Sequence, residues 1–107
     1  MDKDIIIQKA ITIIKQYGVD RIVLFGSFAQ GTATKDSDID LFVVKDLPET
    51  EIRPFRIQLK KALWKELGHV HPTFDIFVDN DERIEKRIAL GDLFYKEIYT
   101  KGKTIYA

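Results

Sequence analysis

The chain has 107 residues, of which 32% are charged, and its 17 Lys and Arg balance its 17 Asp and Glu to a formal net charge of +0. This length suits one domain with one core over residues 1–107 and leaves no room for two. The charge balance shows no basic excess of the kind that marks a nucleic-acid or anionic-membrane binder. The absence of Cys excludes disulfides, thiolate zinc sites and thiol nucleophiles.

The beginning of the chain has neither the pattern of a secretory signal nor that of a membrane span. Residues 1–4 carry charges of both signs, and the longest apolar run that follows covers only residues 5–7. We therefore expect a soluble, cytoplasmic protein that does not contact a membrane.

Hydrophobic periodicity changes repeatedly between helical and strand-like spacing. In the first half of the chain it predicts a helix over 6–17, a strand over 21–25, a polar loop over 31–36 and a strand over 38–44. A second helix is entered between Pro48 and Pro54 and ended by Gly68, and a strand follows over 73–78. The remainder is predicted as a helix over 81–99 with a break at Gly91 and an extended end over 103–106. This alternation indicates an α/β or α+β fold in which helices cover a small sheet. It leaves the strand order undetermined.

Two carboxylates lie two residues apart at the start of the second predicted strand. Asp38 and Asp40 share one face of that strand, with about 6.6 Å of backbone between them. At an effective dielectric constant of 20 their charges repel by roughly 2.5 kcal/mol, so we expect a cation between them. A site with few ligands, all of them oxygen, leaves room for water and phosphate, which favours Mg²⁺ over Ca²⁺.

A third carboxylate lies in the next predicted strand, where Asp75 interrupts a run that is otherwise apolar on both sides. A lone carboxylate in a buried strand is costly unless it is paired or bound to a metal ion. If the two strands are neighbours, three Asp residues converge on one edge of the sheet. Asp75 is then the natural group to orient or deprotonate an incoming hydroxyl.

A Gly-Ser turn follows the first predicted strand. Gly26 suits a close approach of the backbone to a ligand, and Ser27 is expected to cap a short helix whose free N–H groups would accept a phosphate. Phosphate on this turn and metal on the acids would together hold a triphosphate in line for attack, with two ions polarising the attacking and leaving oxygens.

Two competing motifs fail on specific positions. Residues 26–31 have the glycine spacing of a P-loop, but Thr32 and Ala33 stand where Lys and Ser or Thr are required. The acidic run that ends at Asp40 begins like an EF-hand loop, but Leu41 and Leu47 occupy the positions that need Gly and a bidentate Glu.

Two further features are interpreted as structural. The pair His69 and His71 is expected to be a loop segment leading to Pro72 rather than a second metal site, because no third ligand is suitably spaced. A basic helical face, formed by Arg53, Arg56 and Lys60, is expected to be a solvated surface.

The motifs follow one another in a fixed order: hydrophobic-Gly-Ser, about ten residues, Asp-hydrophobic-Asp-hydrophobic, and a separate hydrophobic-Asp-hydrophobic. This order resembles the signature of the polymerase-β-like nucleotidyltransferase superfamily. The length, the leading helix and the C-terminal Gly-Lys-x-x-Tyr resemble its minimal members, the MNT proteins. The resemblance implies the nucleotidyltransferase fold, a small mixed sheet flanked by helices. It also implies Mg²⁺-dependent transfer of a nucleoside monophosphate from an NTP.

The same resemblance assigns roles to individual residues. Asp38 and Asp40 would hold two Mg²⁺ ions, Asp75 would hold one of them, and the three acids would form the catalytic triad. The nucleotide would bind at Gly26, Ser27 and Ser37. Family members often carry Arg or Lys within the turn, where this chain has Phe28 and Gln30, which leaves Lys35 as the nearest cation.

Many MNT proteins are similar to antitoxins encoded beside HEPN-domain ribonucleases, which they silence by binding and, in some cases, by adenylylating a tyrosine. A HEPN nuclease carries Arg-x(4 to 6)-His, and neither His69 nor His71 has an Arg at that distance. The resemblance therefore implies a HEPN partner on a separate chain, and nucleic acid would meet this protein only through that partner.

The expected function is Mg²⁺-dependent transfer of AMP from ATP to a hydroxyl of a partner protein, because 107 residues leave no room for a domain that holds the acceptor. One alternative is a non-catalytic MNT-fold module that neutralises a partner by binding. Another is nucleotidyl transfer to a small molecule such as an aminoglycoside. The C-terminal part is apolar, with Phe94, Tyr95, Ile98, Tyr99 and Tyr106. We expect these residues to pack in the core and, as a second interpretation, to form a face for a partner or a homo-oligomer.

Overall fold

In the computed structural model, which describes residues 2–68 and 73–107, the chain forms five helices and four strands. The predicted loop with its two histidines falls on 69–72 and so lies outside the described residues. The elements, in chain order, are α1 (Lys3–Lys15), β1 (Arg21–Phe25), α2 (Ser27–Gln30), β2 (Ile39–Val44), α3 (Glu49–Leu67), β3 (Phe74–Asp79), α4 (Asp81–Ala89), α5 (Leu93–Lys101) and β4 (Lys103–Tyr106).

The four strands form one mixed sheet in the order β3-β2-β1-β4. β1 is antiparallel to both β2 and β4, whereas β2 and β3 are parallel. The C-terminal end of β1 therefore meets the N-terminal ends of β2 and β3 at one end of the sheet, where Phe25 pairs with Asp40 and Asp40 pairs with Asp75. This confirms the mixed α+β architecture and supplies the strand order that periodicity could not.

Helices cover both faces of the sheet because both sides of the central strands are apolar. One face packs against α1 and α3 through a cluster whose most deeply buried members include Ile6, Ile14, Ile22, Leu41 and Leu59. The opposite face packs against α4 and α5 through a smaller cluster made of Val23, Phe25, Phe42, Val44, Ile84 and Ile98. The two sides alternate along each strand, so Asp40 and Asp75 project from the α4–α5 side.

The first helix differs from its prediction in its bounds. α1 begins three residues before the predicted start, because Asp2 caps it by accepting a hydrogen bond from the Asp4 amide. The turn after α1 is held by Lys45, whose Nζ donates to the carbonyl oxygens of Tyr17 (3.1 Å) and Gly18 (2.8 Å).

The long helix α3 corrects two expectations. It begins directly after Pro48, so Pro54 lies inside the helix and does not bracket its entry. Proline is unfavourable inside a helix, and the neighbouring residue Phe55 packs against the core at this point. The side chain of Arg56 is not part of a solvated face, because its Nε donates to the Ile76 carbonyl oxygen at 2.7 Å and so satisfies a backbone group of the edge strand β3.

The C-terminal part divides as predicted at Gly91, whose φ of +86° is a backbone conformation that favours glycine. α4 and α5 lie on either side of it. The extended end is an edge strand, β4, that pairs with β1. A Cβ on Gly102 would overlap the Ile98 carbonyl oxygen and lie 2.6 Å from Val23 Cγ1, so the connection from α5 to β4 requires glycine. Of the helices in the described part, none is both long and apolar enough to cross a membrane.

Candidate active site

The end of the sheet at which β1 stops and β2 and β3 start brings two of the predicted acids together. Asp40 and Asp75 occupy paired positions of the parallel strands, so their side chains stand side by side on the same face. Neighbouring strands lie about 4.8 Å apart, which makes this a pair of closely spaced carboxylates. The condition for the acids to converge, that the two strands are neighbours, therefore holds.

The electrostatic setting of Asp40 follows from this placement. Partial burial raises the pKa of its carboxyl to about 6 from an ordinary 3.8, and the charges of Asp75 and Asp38 add to the effect. The negative charges of Asp75 and Asp38, which disfavour the ionised form of Asp40, would also attract a cation to this position.

The glycine of the Gly-Ser turn lies directly against this carboxylate. Gly26 has φ +71°, and a Cβ built on it would overlap Asp40 Oδ2 and lie 3.2 Å from Asp40 Cγ. Both the backbone conformation and the space exclude a side chain. The turn and the acid are therefore in direct contact, while the predicted close approach of the backbone to a ligand stays a prediction.

The segment after Gly26 differs from the prediction in one detail. Gly26 itself is the N-cap residue of α2 and makes no side-chain capping bond, whereas Ser27 is the first helical residue. The prediction that Ser27 caps this helix is wrong, because the glycine's positive φ places the chain reversal one residue earlier. Ser37 lies in the following loop, where its Oγ accepts a hydrogen bond from the Thr34 amide at 2.9 Å.

A cation that the sequence gave no reason to expect lies beside the turn. Lys3 Nζ, from the first turn of α1, is 5.5 Å from the centroid of the Phe28 ring. No local sequence signal connects residues 25 apart, so this contact depends on the packing of α1 beside α2.

Asp38 lies immediately before β2 rather than within it, which corrects the predicted strand start at 38. Its Oδ1 accepts a hydrogen bond from Thr73 Oγ1, and the Ile39 amide donates to the Thr73 carbonyl oxygen at 2.8 Å. Thr73 was predicted only as the start of a strand, and its contact with Asp38 follows from the parallel pairing of β2 and β3.

The metal-binding expectation stays a prediction, because the acids do not form a preformed cluster. Among residues 2–68 and 73–107, no three His, Asp or Glu side chains are grouped so that they could hold a metal ion by themselves. Asp38 is directed to Thr73, while Asp40 and Asp75 remain paired. Their oxygen-only donor set suits Mg²⁺, which usually takes one or two carboxylates and completes its coordination with water and phosphate oxygens.

A second acidic cluster, which sequence reasoning missed, lies at the other end of β3. Asp79 is only 2% exposed, and its carboxylate accepts hydrogen bonds from the Tyr95 hydroxyl (2.5 Å), from Arg83 Nε (2.9 Å) and from the Asn80 amide (2.9 Å). Burial and this hydrogen bond to Asp79 raise the pKa of Tyr95 well above its ordinary value. Glu49 accepts from Arg83 NH1 at 2.7 Å and extends the cluster to α3. The i, i+4 spacing of Asp79 and Arg83 was the available sequence signal.

Comparison with known proteins agrees with this geometry. The family model described as "Nucleotidyltransferase domain" matches residues 7–101. A curated protein of Methanocaldococcus jannaschii named "Putative protein adenylyltransferase" is 30% identical over 88 residues, which are 82% of this chain and 79% of that protein. A solved structure described as "Crystal structure of the toxin-antitoxin with AMP-PNP" shares the fold with a TM-score of 0.61 at 22% identity, and the match covers 99% of this chain and 74% of that one.

The family match spans most of the chain, including the Gly-Ser turn and all three acids, and it is independent of the solved structure, whose likeness concerns the fold. The chain belongs to the nucleotidyltransferase domain family, and it is a nucleotidyltransferase.

Proposed function

We propose that this protein transfers AMP from ATP to a hydroxyl group on a partner protein, with two Mg²⁺ ions, and that it is the antitoxin of a HEPN/MNT toxin-antitoxin pair. The observation that carries the proposal is the contact of Gly26 with the Asp40 carboxylate, beside Asp75. It places a side-chain-free turn and two carboxylates within reach of one triphosphate.

The nature of the acceptor is supported by the two relatives. One is named as a protein adenylyltransferase, and the other is described as a toxin-antitoxin with AMP-PNP. We carry both properties to this chain as part of the proposal.

In the proposed mechanism, Asp38, Asp40 and Asp75 are the residues that would hold Mg²⁺. The ions would neutralise the triphosphate and polarise the attacking and leaving oxygens. Gly26, Ser27 and Ser37 are proposed to bind the nucleotide. A Cβ at position 26 would overlap the Asp40 carboxylate, so only a residue without a side chain lets the turn lie against the acids, where the phosphates are proposed to bind.

The acceptor oxygen would attack the α-phosphorus of ATP, forming one P–O bond as the bond to the leaving pyrophosphate breaks. Asp75 is proposed to accept the proton of the acceptor hydroxyl, since it stands beside Asp40 on an adjacent strand. The products are the adenylylated acceptor and pyrophosphate.

The test is to incubate the protein with Mg²⁺, ATP labelled on its α-phosphate and the HEPN-domain protein encoded beside it. The expected result is label on the partner, lost in the double variant Asp38→Ala/Asp40→Ala. Asp36→Ala is the matched control, because it removes a carboxylate from the same exposed loop and should leave the transfer unchanged. Omission of Mg²⁺ should also abolish the transfer.

Neutralisation of the partner by the double variant, with no label moved by the wild-type protein, would instead establish a binding module. Label found on an aminoglycoside by mass analysis, and not on protein, would establish transfer to a small molecule.

A further inference from the structure

A cluster of aromatic rings lies beside the paired acids on the α4–α5 face of the sheet. Phe94, near the start of α5, has its ring centroid 5.7 Å from that of Phe25 and 5.3 Å from that of Phe77. Phe25 and Phe77 are themselves 5.6 Å apart. Phe25 is 9% exposed, whereas Phe94 is 40% exposed, so Phe94 presents ring surface to solvent on top of the other two.

The two rings beneath Phe94 belong to the strand positions that flank the acids. Phe25 is paired with Asp40 and directly precedes Gly26. Phe77 lies two residues after Asp75 in β3 and projects from the same face. The ring of Phe94 is therefore fixed between the end of β1, where the phosphate turn begins, and the strand that carries Asp75.

This placement has a consequence for a nucleotide whose phosphates bind beside Gly26 and the paired acids. Its ribose and base must extend away from the acids. On the α5 side they would meet an apolar aromatic surface, since the ring centroid of Phe94 lies 5.7 Å from that of Phe25. An exposed phenyl ring is unfavourable in water, and a nucleobase stacked on it removes ring surface from solvent.

We propose that Phe94 is a substrate-binding residue of this site, and that the adenine ring of ATP stacks on its exposed side. This inference rests on the proposed function, since it assigns a contact to the nucleotide of that same site. Stacking of a base on an aromatic side chain strengthens binding by about 5- to 150-fold. Because every base has such a face, stacking favours a nucleotide over inorganic triphosphate without strong preference among bases.

The test compares the dissociation constants of ATP and of inorganic tripolyphosphate, both with Mg²⁺, measured by calorimetry. Phe94→Ala should weaken the binding of ATP by about tenfold or more and leave that of tripolyphosphate within about twofold of the wild type. Phe94→Trp, which keeps an aromatic face, should retain ATP binding. Phe94→Leu, which keeps apolar packing without a π-face, should lose it as Phe94→Ala does.

Leu93→Ala is the matched control, because Leu93 is the neighbouring residue on α5 and is 79% exposed. It should leave both dissociation constants unchanged. Thermal unfolding of each variant shows that it is folded before binding is measured, and Phe94→Leu provides a folded variant if Phe94→Ala is unstable.

Equal weakening of ATP and tripolyphosphate in the Phe94 variants would overturn the inference, because it would show a structural role. Wild-type protein that binds ATP no more tightly than tripolyphosphate would also overturn it while leaving the proposed transfer intact. Failure of the wild type to bind either compound would overturn the proposed function and this inference together.

Discussion

Asp75 and Asp79 are the same residue type on the same face of the same strand, four residues apart, and their surroundings differ in kind. Asp79 is 2% exposed and is compensated by the protein itself, through Arg83, Tyr95 and the Asn80 amide. Asp75 stands beside Asp40, whose pKa its negative charge helps to raise. At the C-terminal end of β3 the charge of Asp79 is compensated by Arg83, whereas at the N-terminal end Asp75 and Asp40 bring two negative charges together.

This difference indicates a structural role for Asp79 and a ligand-binding role for Asp40 and Asp75. A buried carboxylate that accepts three hydrogen bonds joins β3 to α4 and α5, so its removal should affect stability. A pair of carboxylates at the edge lowers stability by mutual repulsion, and a fold retains such a pair where it serves another purpose. Substitutions at the two ends of β3 should therefore have opposite effects on stability and on transfer.

The largest expected effect is that of Asp75→Asn on nucleotidyl transfer. Loss of the proposed metal ligand and proton acceptor should lower the initial rate of label transfer by about 10³-fold or more, which corresponds to roughly 4 kcal/mol. The free energy of unfolding should stay the same or rise, because one of two repelling charges is gone. A substantial fall in stability measured by urea denaturation would contradict the comparison.

The reverse pattern is expected for Asp79→Asn. Its free energy of unfolding should fall by about 3 kcal/mol, because a buried carboxylate is replaced by a neutral amide and Arg83 keeps only the exposed Glu49 as its anionic partner. The transfer rate per folded molecule should remain within about threefold of the wild type. Denaturant titration gives the first quantity, and activity normalised to the folded fraction gives the second.

Gly26→Ala tests the contact between the turn and Asp40. We expect it to lower the free energy of unfolding by about 2 kcal/mol, from the strain of a positive φ and the overlap with the Asp40 carboxylate, and to abolish transfer. Gly31→Ala is the matched control, since Gly31 also has a positive φ, +74°, but no atom lies within 4 Å of its built Cβ. It should cost about 1 kcal/mol and retain transfer. Equal losses in both variants would show that strain alone is responsible.

Tyr95→Phe removes one hydrogen bond from Asp79 without removing the ring that packs 5.7 Å from Phe42. The free energy of unfolding should fall by about 1 to 2 kcal/mol, as expected for a bond to a charged acceptor. Nucleotidyl transfer should not change. A variant as stable as the wild type would show that Arg83 and the Asn80 amide satisfy Asp79 by themselves.

The smallest effect is a pH dependence of stability at the acid end in metal-free solution. The pKa of Asp40 is about 6 in the folded protein against an ordinary 3.8, so between these values the folded state binds more protons than the unfolded state. The free energy of unfolding should therefore contain a component that falls as pH rises from about 4 to about 6. Solvent screening makes this component shallow. Comparison with Asp40→Asn, measured with a chelator present, isolates it, and identical pH profiles would contradict the assignment.

Local sequence signals predicted what depends on local interactions. The break at Gly91 was predictable because glycine adopts a positive φ readily. The start of α1 was displaced because the cap at Asp2, four residues before the predicted start, outweighs the first position of the apolar pattern. Pro54 was misinterpreted because the packing of Phe55 and its neighbours on α3 against the sheet overrides a local preference.

The sequence by itself determined the alternation of helices and strands and the Gly-Ser turn, because each depends on neighbours along the chain. Only the tertiary structure decided that Asp75 stands beside Asp40, that Gly26 lies against that carboxylate, and that Asp79 is compensated by Tyr95. These contacts join residues 14 or more positions apart. They depend on strand order and register, which are set by how the apolar faces pack and not by any local pattern.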